Sequence, residues 1–205
     1  MPPPDPIPRF GDSRRLRVGL LGGSFNPAHH GNLHVANLAL RRLRLDQVWL
    51  LVSPGNPLKA TAGMAPFTER LAGAARIGDG RRVLASGIEA VFQTRYTVDT
   101  MRLLIQRFPK VQFVWIMGAD ILEQLPHWRR WMDIVRRLPF VVMPRPRYSN
   151  RALAGQAAHR LRAGRRSVRE APLLPGAAPG WVFLPARQTA ISATAIRQAA
   201  EGTVL

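Results

Sequence analysis

The stretch GGSFNPAHHGNLHVA, residues 22–36, decides how this chain folds. It follows LRVGLL, residues 16–21, a continuously apolar run that is typical of a buried strand. The glycines and the proline favour a tight turn. Residues 31–43 then carry apolar side chains at helical spacing, which predicts a helix. We therefore expect a strand, a tight turn and a helix in direct succession, with histidines where the helix begins.

Strands and helices alternate along the rest of the chain. Apolar runs predict further strands at 47–52, 82–85, 111–117, 140–143 and 181–184. Amphipathic spacing predicts further helices at 67–77, 98–108, 131–137, 150–163 and 192–200. Continuously apolar strands separated by helices are typical of a parallel sheet that is covered on both faces. The predicted fold class is α/β, with a doubly wound parallel sheet.

Length and composition favour one domain. The 205 residues are 46% hydrophobic, which suits a globular core. Prolines occupy the first residues, where a signal peptide would have its apolar run. We expect residues 1–15 to form a flexible N-terminal arm and residues 16–205 to form the domain. No apolar run reaches the length of a membrane span, so we expect a cytoplasmic protein without a membrane partner. The absence of cysteine excludes disulfides, thiolate metal sites and cysteine nucleophiles.

The formal net charge of +18 favours anionic partners. Nucleic acid, an anionic membrane and small phosphorylated substrates all fit that description. Nucleic-acid binders usually gather their charge in one arm or on one helix face, with aromatic residues between the cations. The arginines of this chain are instead spread along its length. We therefore interpret the charge mainly as solvated surface, which disfavours nucleic acid as a partner and still suits a site for phosphates.

The turn at residues 22–30 lies where a ligand is expected. In an open parallel sheet, ligands bind beyond the carboxyl ends of the strands, near the point where the strand order reverses. Glycines let backbone amides approach an anion, and the following helix offers its positive end. The chain contains neither GxGxxG nor GxxxxGK followed by Ser or Thr, which disfavours a dinucleotide-binding Rossmann site and a P-loop. Histidines in such a turn can donate hydrogen bonds to a phosphate instead.

Two other interpretations of His29, His30 and His34 stay open. The three side chains could be surface histidines at the start of a helix. His30 and His34 stand at spacing i, i+4 and could bind a metal, but no HExxH motif surrounds them, which disfavours that interpretation.

Two segments resemble the signatures of the nucleotidyltransferase superfamily. GGSFNPAHHGN, residues 22–32, resembles GxFxPxHxGH, and ISATAIR, residues 191–197, resembles ISSTxIR. Shorter segments between them resemble those of the bacterial nicotinate-nucleotide adenylyltransferases in order and spacing: NPLK, YTVDT, GAD, LPHW and MPRP. The resemblance extends from about Arg17 to Ala200. It implies a Rossmann-like nucleotidyltransferase fold.

The resemblance also implies a reaction. An adenylyl group passes from ATP to nicotinate mononucleotide, which yields nicotinate adenine dinucleotide and pyrophosphate in NAD biosynthesis. Mg²⁺ would enter on the ATP phosphates, and no metal site made by the protein itself is expected. The acceptor phosphate is already ionised near neutral pH, so the reaction needs no general base. Catalysis then consists of aligning two anions and neutralising charge on the α-phosphate and the leaving pyrophosphate.

The resemblance assigns the donor side of the site residue by residue. The implied ATP-binding residues are Gly22, Gly23, Ser24, Phe25, His29, Asp120, Ser192, Thr194 and Arg197. The glycine-rich residues would shape the turn and present its amides, while His29 would contact the phosphates. Ser192 and Thr194 would start a helix whose amides hold the β- and γ-phosphates, with Arg197 one turn further on. Asp120 would accept hydrogen bonds from the ribose.

The implied acceptor site contains Lys59, Tyr96, Thr97 and Trp128. The indole of Trp128 would stack on the pyridine ring. Hydroxyl or amide groups at Tyr96 and Thr97 would meet the nicotinate carboxylate, and Lys59 would reach a substrate phosphate. A pocket built for a carboxylate leaves donors unpaired against an amide, so we expect nicotinate mononucleotide to be preferred over nicotinamide mononucleotide.

Asn32 departs from the family pattern, because it stands where the signature has its second histidine. With Asn32 at that position, the catalytic residues that the resemblance implies are His29, Asn32 and Arg197. Asparagine can donate a hydrogen bond but cannot carry a positive charge. We expect the nearby His34, or the surrounding arginines, to compensate.

Other acceptors and another class of protein stay open. The acceptor could be nicotinamide mononucleotide or another phosphomonoester, such as phosphopantetheine. A basic nucleic-acid-binding protein that retains the fold is the alternative from a different class. The sequence leaves the oligomeric state open.

Overall fold

The structure is a computed structural model that describes residues 5–55 and 63–186, together with Ala193 and Ile196. Across these residues runs a six-stranded sheet in which neighbouring strands pair in parallel. Its strands are β1 (Arg17–Gly23), β2 (Gln47–Val52), β3 (Val83–Ser86), β4 (Gln112–Gly118), β5 (Phe140–Met143) and β6 (Trp181–Phe183). The strand order across the sheet is β3-β2-β1-β4-β5-β6.

Helices connect these strands. They are α1 (His30–Arg42), α2 (Phe67–Ile77), α3 (Ile88–Val91), α4 (Thr97–Arg107), α5 (Ala119–Gln124), α6 (Trp131–Arg137), α7 (Ser149–Ala154) and α8 (Gln156–Arg160). Short 3₁₀ turns lie at Leu125–His127, Arg162–Gly164 and Val168–Leu173. The predicted strands and the helices that correspond to α1, α2, α4 and α6 therefore occur where the apolar patterns place them.

The strand β1 lies in the middle of the sheet and pairs on both sides. Leu21 of β1 lies opposite Leu50 of β2 on one side and is paired with Ile116 of β4 on the other. The chain builds outward from β1 to β3 and then returns to the far side of β1 with β4. The carboxyl ends of β1 and β4 therefore form the switch point at which doubly wound sheets bind ligands. The predicted α/β class with a doubly wound parallel sheet is confirmed.

The sheet is buried on both faces, because successive strand residues point in opposite directions. Trp115 belongs to the core on one face, which is packed by helices α3 to α8. Its neighbours Val114 and Ile116 belong to the core on the other face, which is packed by α1, α2 and the 3₁₀ turn near Ala171. A strand buried on both faces cannot alternate polar and apolar residues, which explains the continuous apolar runs of the sequence.

The single helix predicted over residues 150–163 is wrong. The structure has α7 and α8 there, and Gly155 lies between them with an extended backbone at φ −79° and ψ 171°. A 3₁₀ turn follows α8. The apolar spacing continues through both short helices, so periodicity alone does not reveal the break. Glycine is a poor helix former, and it is the local signal for the interruption.

Part of the N-terminal segment packs on the domain. The carboxylate of Asp5 accepts hydrogen bonds from Ser86 Oγ at 2.7 Å and from the backbone N–H of Gly87 at 2.7 Å. Ile7 is 2% exposed and belongs to the main core. The described residues near the N-terminus thus lie against the end of β3, although we expected a free arm, and the domain boundary at residue 15 stays a prediction. Among the described residues, no helix is long and apolar enough to cross a membrane.

Candidate active site

The turn after β1, residues 22–29, is called the phosphate turn below. It connects the end of β1 at Gly23 to the start of α1 at His30. A Cβ atom at Gly22 would have no heavy atom of the described residues within 4 Å. The space beside this exposed backbone is therefore open, as the close approach of an anion requires.

Phe25 gives the phosphate turn its shape. Its φ of 48° lies in the left-handed region, which costs a residue with a side chain about 1–2 kcal/mol. Its side chain is 5% exposed and packs into the core on the α1 face of the sheet. Burying an aromatic ring contributes about 2 kcal/mol or more, which offsets the backbone cost. The buried ring of Phe25 thus fixes the turn to the core on the α1 face of the sheet.

His29 and Asn32 close the start of α1 by a reciprocal pair of hydrogen bonds. The backbone N–H of Gly31 donates to Nδ1 of His29 at 3.1 Å. The backbone N–H of His29 donates to Oδ1 of Asn32 at 3.0 Å. This arrangement is a capping box, in which histidine takes the place of the usual serine or threonine. Because Nδ1 of His29 accepts a bond, the neutral imidazole carries its proton on Nε2, and that N–H has no partner among the described residues.

The pKa of His29 is lowered from its ordinary value of 6.5. Burial is the main cause, and the positive charges of Arg145 and His30 add to it. The imidazole is therefore neutral at pH 7, and its Nε2–H is a fixed hydrogen-bond donor. A neutral donor is sufficient for binding phosphate oxygens, so positive charge near the turn has to come from arginine.

Asn32 and His34 differ in how they are held. Oδ1 of Asn32 is engaged in the capping box, while its Nδ2 makes no hydrogen bond to any residue that the structure describes. The Nε2 atom of His34 is buried and has no hydrogen-bond partner in the described part of the chain. The donation of a hydrogen bond to phosphate by Asn32, and the compensating role of His34, stay predictions.

Asp120 lies at the end of β4, across the switch point from the phosphate turn. Its Oδ1 is buried without a hydrogen bond to the described residues, and its nearest charged neighbour is Arg145, whose Nε is 3.7 Å away. A Cβ atom at Gly118 would lie 2.2 Å from that Oδ1 and 3.0 Å from Nε of Arg145. A side chain at position 118 would therefore displace the ion pair from this arrangement. A carboxylate oxygen that lacks a donor is suited to accept one from a ligand hydroxyl.

The segments that contain Tyr96, Thr97 and Trp128 meet at an arginine. Tyr96 and Thr97 form the start of α4, and Trp128 follows the 3₁₀ turn after α5. The guanidinium of Arg129 lies 4.6 Å from the centre of the Tyr96 ring, so the segment that contains Trp128 faces the start of α4. The indole N–H of Trp128 is buried and has no hydrogen-bond partner within the described ranges.

The largely buried carboxyl group of Glu89, on α3, is hydrogen-bonded to the first turn of α4. Thr100, which is 1% exposed, donates a hydrogen bond from Oγ1 to Glu89 Oε1 at 3.4 Å. The hydroxyls of Thr94 and Thr100 are 2.7 Å apart. Burial raises the pKa of Glu89 to about 7, and the bond from Thr100 opposes this shift. The α3–α4 connection thus contains a carboxyl group that titrates near neutral pH.

Several predicted site residues lie outside the described residues. They are Lys59, Ser192, Thr194 and Arg197. Of the ISATAIR segment, the structure describes only Ala193 and Ile196, and both are helical.

Two arginines at the site were not singled out from the sequence. Arg145 follows β5, forms an ion pair with Asp120 and helps to lower the pKa of His29. Arg129 lies over Tyr96. The MPRP and LPHW segments pointed to their neighbourhood, but in a chain with 30 Lys and Arg residues no local signal separates these two from the others. The described residues contain no group of three or more His, Asp or Glu that could hold a metal ion.

These features define a class of protein. It is a doubly wound α/β protein in which glycines and an imidazole form a turn suited to an anion at the switch point of the sheet. Beyond the ends of β4 and β5, Asp120 and Arg145 form an ion pair, and the charge of Arg145 acts on that imidazole.

Comparison with known proteins identifies the family. Residues 20–199 match the model of the cytidylyltransferase-like family. A probable nicotinate-nucleotide adenylyltransferase of Gluconacetobacter diazotrophicus is 56% identical over 195 residues, which cover 95% of this chain and 91% of that protein. Another, from Gluconobacter oxydans, is 57% identical over 187 residues, with coverage of 91% and 96%. The chain belongs to the cytidylyltransferase-like family and, within it, to the family of the probable nicotinate-nucleotide adenylyltransferases.

A solved structure has the same fold. Plasmodium falciparum nicotinic acid mononucleotide adenylyltransferase complexed with NaAD aligns with a TM-score of 0.65 at 14% identity, covering 89% of this chain and 82% of that one. The resemblance deduced from the sequence motifs is thereby confirmed for the fold and for the family.

Proposed function

We propose that this chain transfers the adenylyl group of ATP to nicotinate mononucleotide, forming nicotinate adenine dinucleotide and releasing pyrophosphate in NAD biosynthesis. The names of its relatives support the choice of reaction. The observation that carries the proposal is the state of His29. Its Nδ1 is engaged as a helix cap, which leaves Nε2–H as a donor at the switch point.

On the donor side, the residues bind and orient phosphate. The Nε2–H of His29 and the amides of the phosphate turn donate to phosphate oxygens, and Arg145 supplies positive charge beside them. Asp120 accepts hydrogen bonds from the ribose. Gly22, Gly23, Ser24 and Phe25 hold the turn, and the proposal extends to Ser192, Thr194 and Arg197 on the strength of the ISATAIR motif.

On the acceptor side, the residues select a carboxylated pyridine ring. Trp128 stacks on the ring, Tyr96 and Thr97 meet its carboxylate, and Lys59 reaches a substrate phosphate. Arg129 adds a positive charge next to Tyr96. A nicotinate carboxylate gains from that charge, whereas an amide does not.

The chemistry needs no acid or base from the protein. The acceptor phosphate attacks the α-phosphate of ATP, a new phosphoanhydride bond forms, and the bond to the leaving pyrophosphate breaks. Negative charge grows on the pyrophosphate, where N–H donors and arginine stabilise it. Holding the two anions in line is the principal task of the site.

Mg²⁺ fits this arrangement as an ion that enters the site bound to the phosphates of ATP. It usually binds substrate phosphates, keeps several waters and does not require an all-protein cage. The donors of the phosphate turn are N–H groups, which suit phosphate oxygens and leave the metal to the nucleotide. When bound, Mg²⁺ neutralises phosphate charge. We also propose a cytoplasmic location, where ATP is at hand.

The test is pyrophosphate release from ATP and Mg²⁺ with one acceptor at a time. Nicotinate mononucleotide, nicotinamide mononucleotide and phosphopantetheine are compared at equal concentrations, with chromatography of the dinucleotide product. We expect the highest kcat/KM with nicotinate mononucleotide.

Other outcomes would replace this function. A higher kcat/KM with another acceptor would assign that acceptor instead. The absence of pyrophosphate release with all three acceptors would contradict the proposal. If random oligonucleotides then bound with a log affinity that fell linearly with log salt, the chain would be a nucleic-acid-binding protein that retains the fold.

A further inference from the structure

Arg70 of α2 is a buried cation whose hydrogen bonds all run to backbone carbonyls, and its guanidinium also lies 5.6 Å from the centre of the Phe67 ring. Arg70 is only 4% exposed. Nε donates to the carbonyl of Ala65 at 2.9 Å, and Nη1 donates to those of Ser24 at 2.7 Å and Ser53 at 2.8 Å. Nη2 donates to the carbonyl of Pro54 at 3.3 Å. No acidic side chain of the described residues forms an ion pair with it.

The four carbonyls belong to three separate segments at the carboxyl edge of the sheet. Ser24 lies in the phosphate turn after β1, and Ser53 and Pro54 follow β2. Ala65 precedes α2. Pro54 and Ala65 also flank, in the sequence, the stretch that contains Lys59. One guanidinium therefore binds the phosphate turn and both flanks of the stretch that carries a predicted acceptor residue.

A guanidinium is the group that this geometry requires. It is planar and presents five N–H donors in a rigid fork, whereas lysine offers three donors from a single point. Burial lowers the pKa of Arg70 from its ordinary value, but arginine stays protonated in proteins. The cost of burying the charge is met only if all the carbonyls stay in place.

A second contact joins two of the same loops. The side-chain Oδ1 of Asn26 accepts from the backbone N–H of Ala65 at 3.1 Å, and Nδ2 donates to the carbonyl of Gly63 at 3.3 Å. Asn26 thus ties the phosphate turn to the residues before α2. Arg70 also reaches the residues after β2.

We propose that Arg70 is a positioning residue that sets the phosphate turn, and with it His29, relative to the residues that follow β2 and those that precede α2. This role rests on the proposed function, because Arg70 does not touch the reacting atoms and affects the reaction only through the phosphate turn. Loss of the guanidinium frees Ser24, Ser53 and Pro54 to move apart. A misplacement of reacting groups by about 1 Å lowers the rate about a hundredfold.

The test compares Arg70→Ala and Arg70→Lys with Arg76→Ala. Arg76 lies on the same helix and is exposed, which makes it a matched control. We expect Arg70→Ala to lower kcat about a hundredfold, and Arg70→Lys to recover little because lysine cannot bind four carbonyls. Added methylguanidinium should restore kcat in Arg70→Ala and leave Arg76→Ala unchanged. If Arg70→Ala does not fold, Arg70→Lys carries the same comparison.

A second measurement does not depend on activity. The imidazole resonance of His29, assigned with His29→Gln, should shift in both Arg70 variants, return with methylguanidinium in Arg70→Ala, and stay in place in Arg76→Ala. An unshifted His29 resonance in a folded Arg70 variant would overturn the proposal. The proposal would also be overturned if methylguanidinium did not restore the activity of Arg70→Ala but cooling below its melting temperature did, because the loss would then reflect unfolding. Failure of the proposed function would instead appear in the parent, as an absence of adenylyl transfer with a normal response of His29.

Discussion

The donor and acceptor sides of the candidate site are built differently. On the donor side, the hydrogen bonds that fix His29 run to Gly31 and Asn32 within one turn of chain. On the acceptor side, Trp128 and Tyr96 come from separate segments that meet through Arg129. The indole N–H of Trp128 has no hydrogen-bond partner among the described residues.

This difference indicates how the two sides act. A helix cap with its hydrogen bonds already made is preorganised, so that its remaining donor is available for phosphate without rearrangement. A buried donor without a partner costs about 1–3 kcal/mol, which a ligand acceptor can recover. We therefore expect substitutions on the donor side to change kcat, and those on the acceptor side to change the choice of acceptor.

The largest effect is expected at His29. Because its Nε2–H is the fixed donor of the phosphate turn, His29→Ala should lower kcat about a hundredfold or more. Loss of the helix cap should also lower the free energy of unfolding by about 1 kcal/mol. Steady-state kinetics and thermal melts check both, with His30→Ala, an exposed neighbour, as the control. Near-parental turnover in His29→Ala would show that His29 is a surface histidine without a role in the reaction.

On the acceptor side, Glu89→Gln should alter how stability depends on pH. Burial raises the pKa of Glu89 from 4.5 to about 7. Between these values the unfolded chain loses a proton that the folded chain keeps, so the stability of the parent falls as pH rises and is lowest above pH 7. The variant has no such proton, and should gain about 1–3 kcal/mol relative to the parent between pH 5 and pH 8.

Urea unfolding at the two pH values measures this gain. Glu69→Gln, which removes an exposed carboxylate, is the control. If the difference between Glu89→Gln and the parent were the same at both pH values, the carboxyl group would be solvated and the acceptor side would contain no buried charge.

Arg129 tests the selectivity assigned to the acceptor side. Arg129→Gln should lower kcat/KM for nicotinate mononucleotide about tenfold, since it removes a charge-assisted contact with the carboxylate. The kcat/KM for the amide should hardly change, so the preference between the two acceptors should fall by the same factor. Arg130→Gln is the neighbouring control, because Arg130 pairs with Asp133 at 2.6 Å. Equal losses for both acceptors would mean that Arg129 serves the fold and not the choice of acceptor.

The same contrast explains what could be predicted from the sequence. The strands were predictable because a sheet covered on both faces requires continuously apolar residues. The position of His29 at the start of a helix was predictable because its turn is local. Arg145 and Arg129 were not, because each acts through a contact made by tertiary folding. The docking of Ile7 was missed because a proline-rich segment contains no periodicity that reveals burial.

A smaller effect concerns the titration of His29. Burial lowers its pKa, with help from the positive charges of Arg145 and His30. The imidazole therefore gains its proton at a lower pH than an ordinary histidine does, and kcat should fall in that acid range because a protonated Nδ1 no longer accepts the bond from Gly31. Arg145→Gln removes one positive charge and should raise the pKa of His29. NMR titration of the free protein measures this directly. An unchanged titration would show that Arg145 does not act on the phosphate turn.

The smallest effect is expected at Asn32, where the chain departs from the family signature. Asn32→His should change kcat only slightly, because the imidazole can still accept the bond from His29 and donate to phosphate. Asn32→Ala should lower kcat more, since both interactions are lost. If His34 compensates for the missing histidine, His34→Ala should harm the parent more than it harms Asn32→His, which a double-mutant cycle measures as a non-zero coupling. Strict additivity would remove His34 from the site. A parent without adenylyl transfer that gains it through Asn32→His would show that this asparagine, and not the acceptor side, had disabled the enzyme.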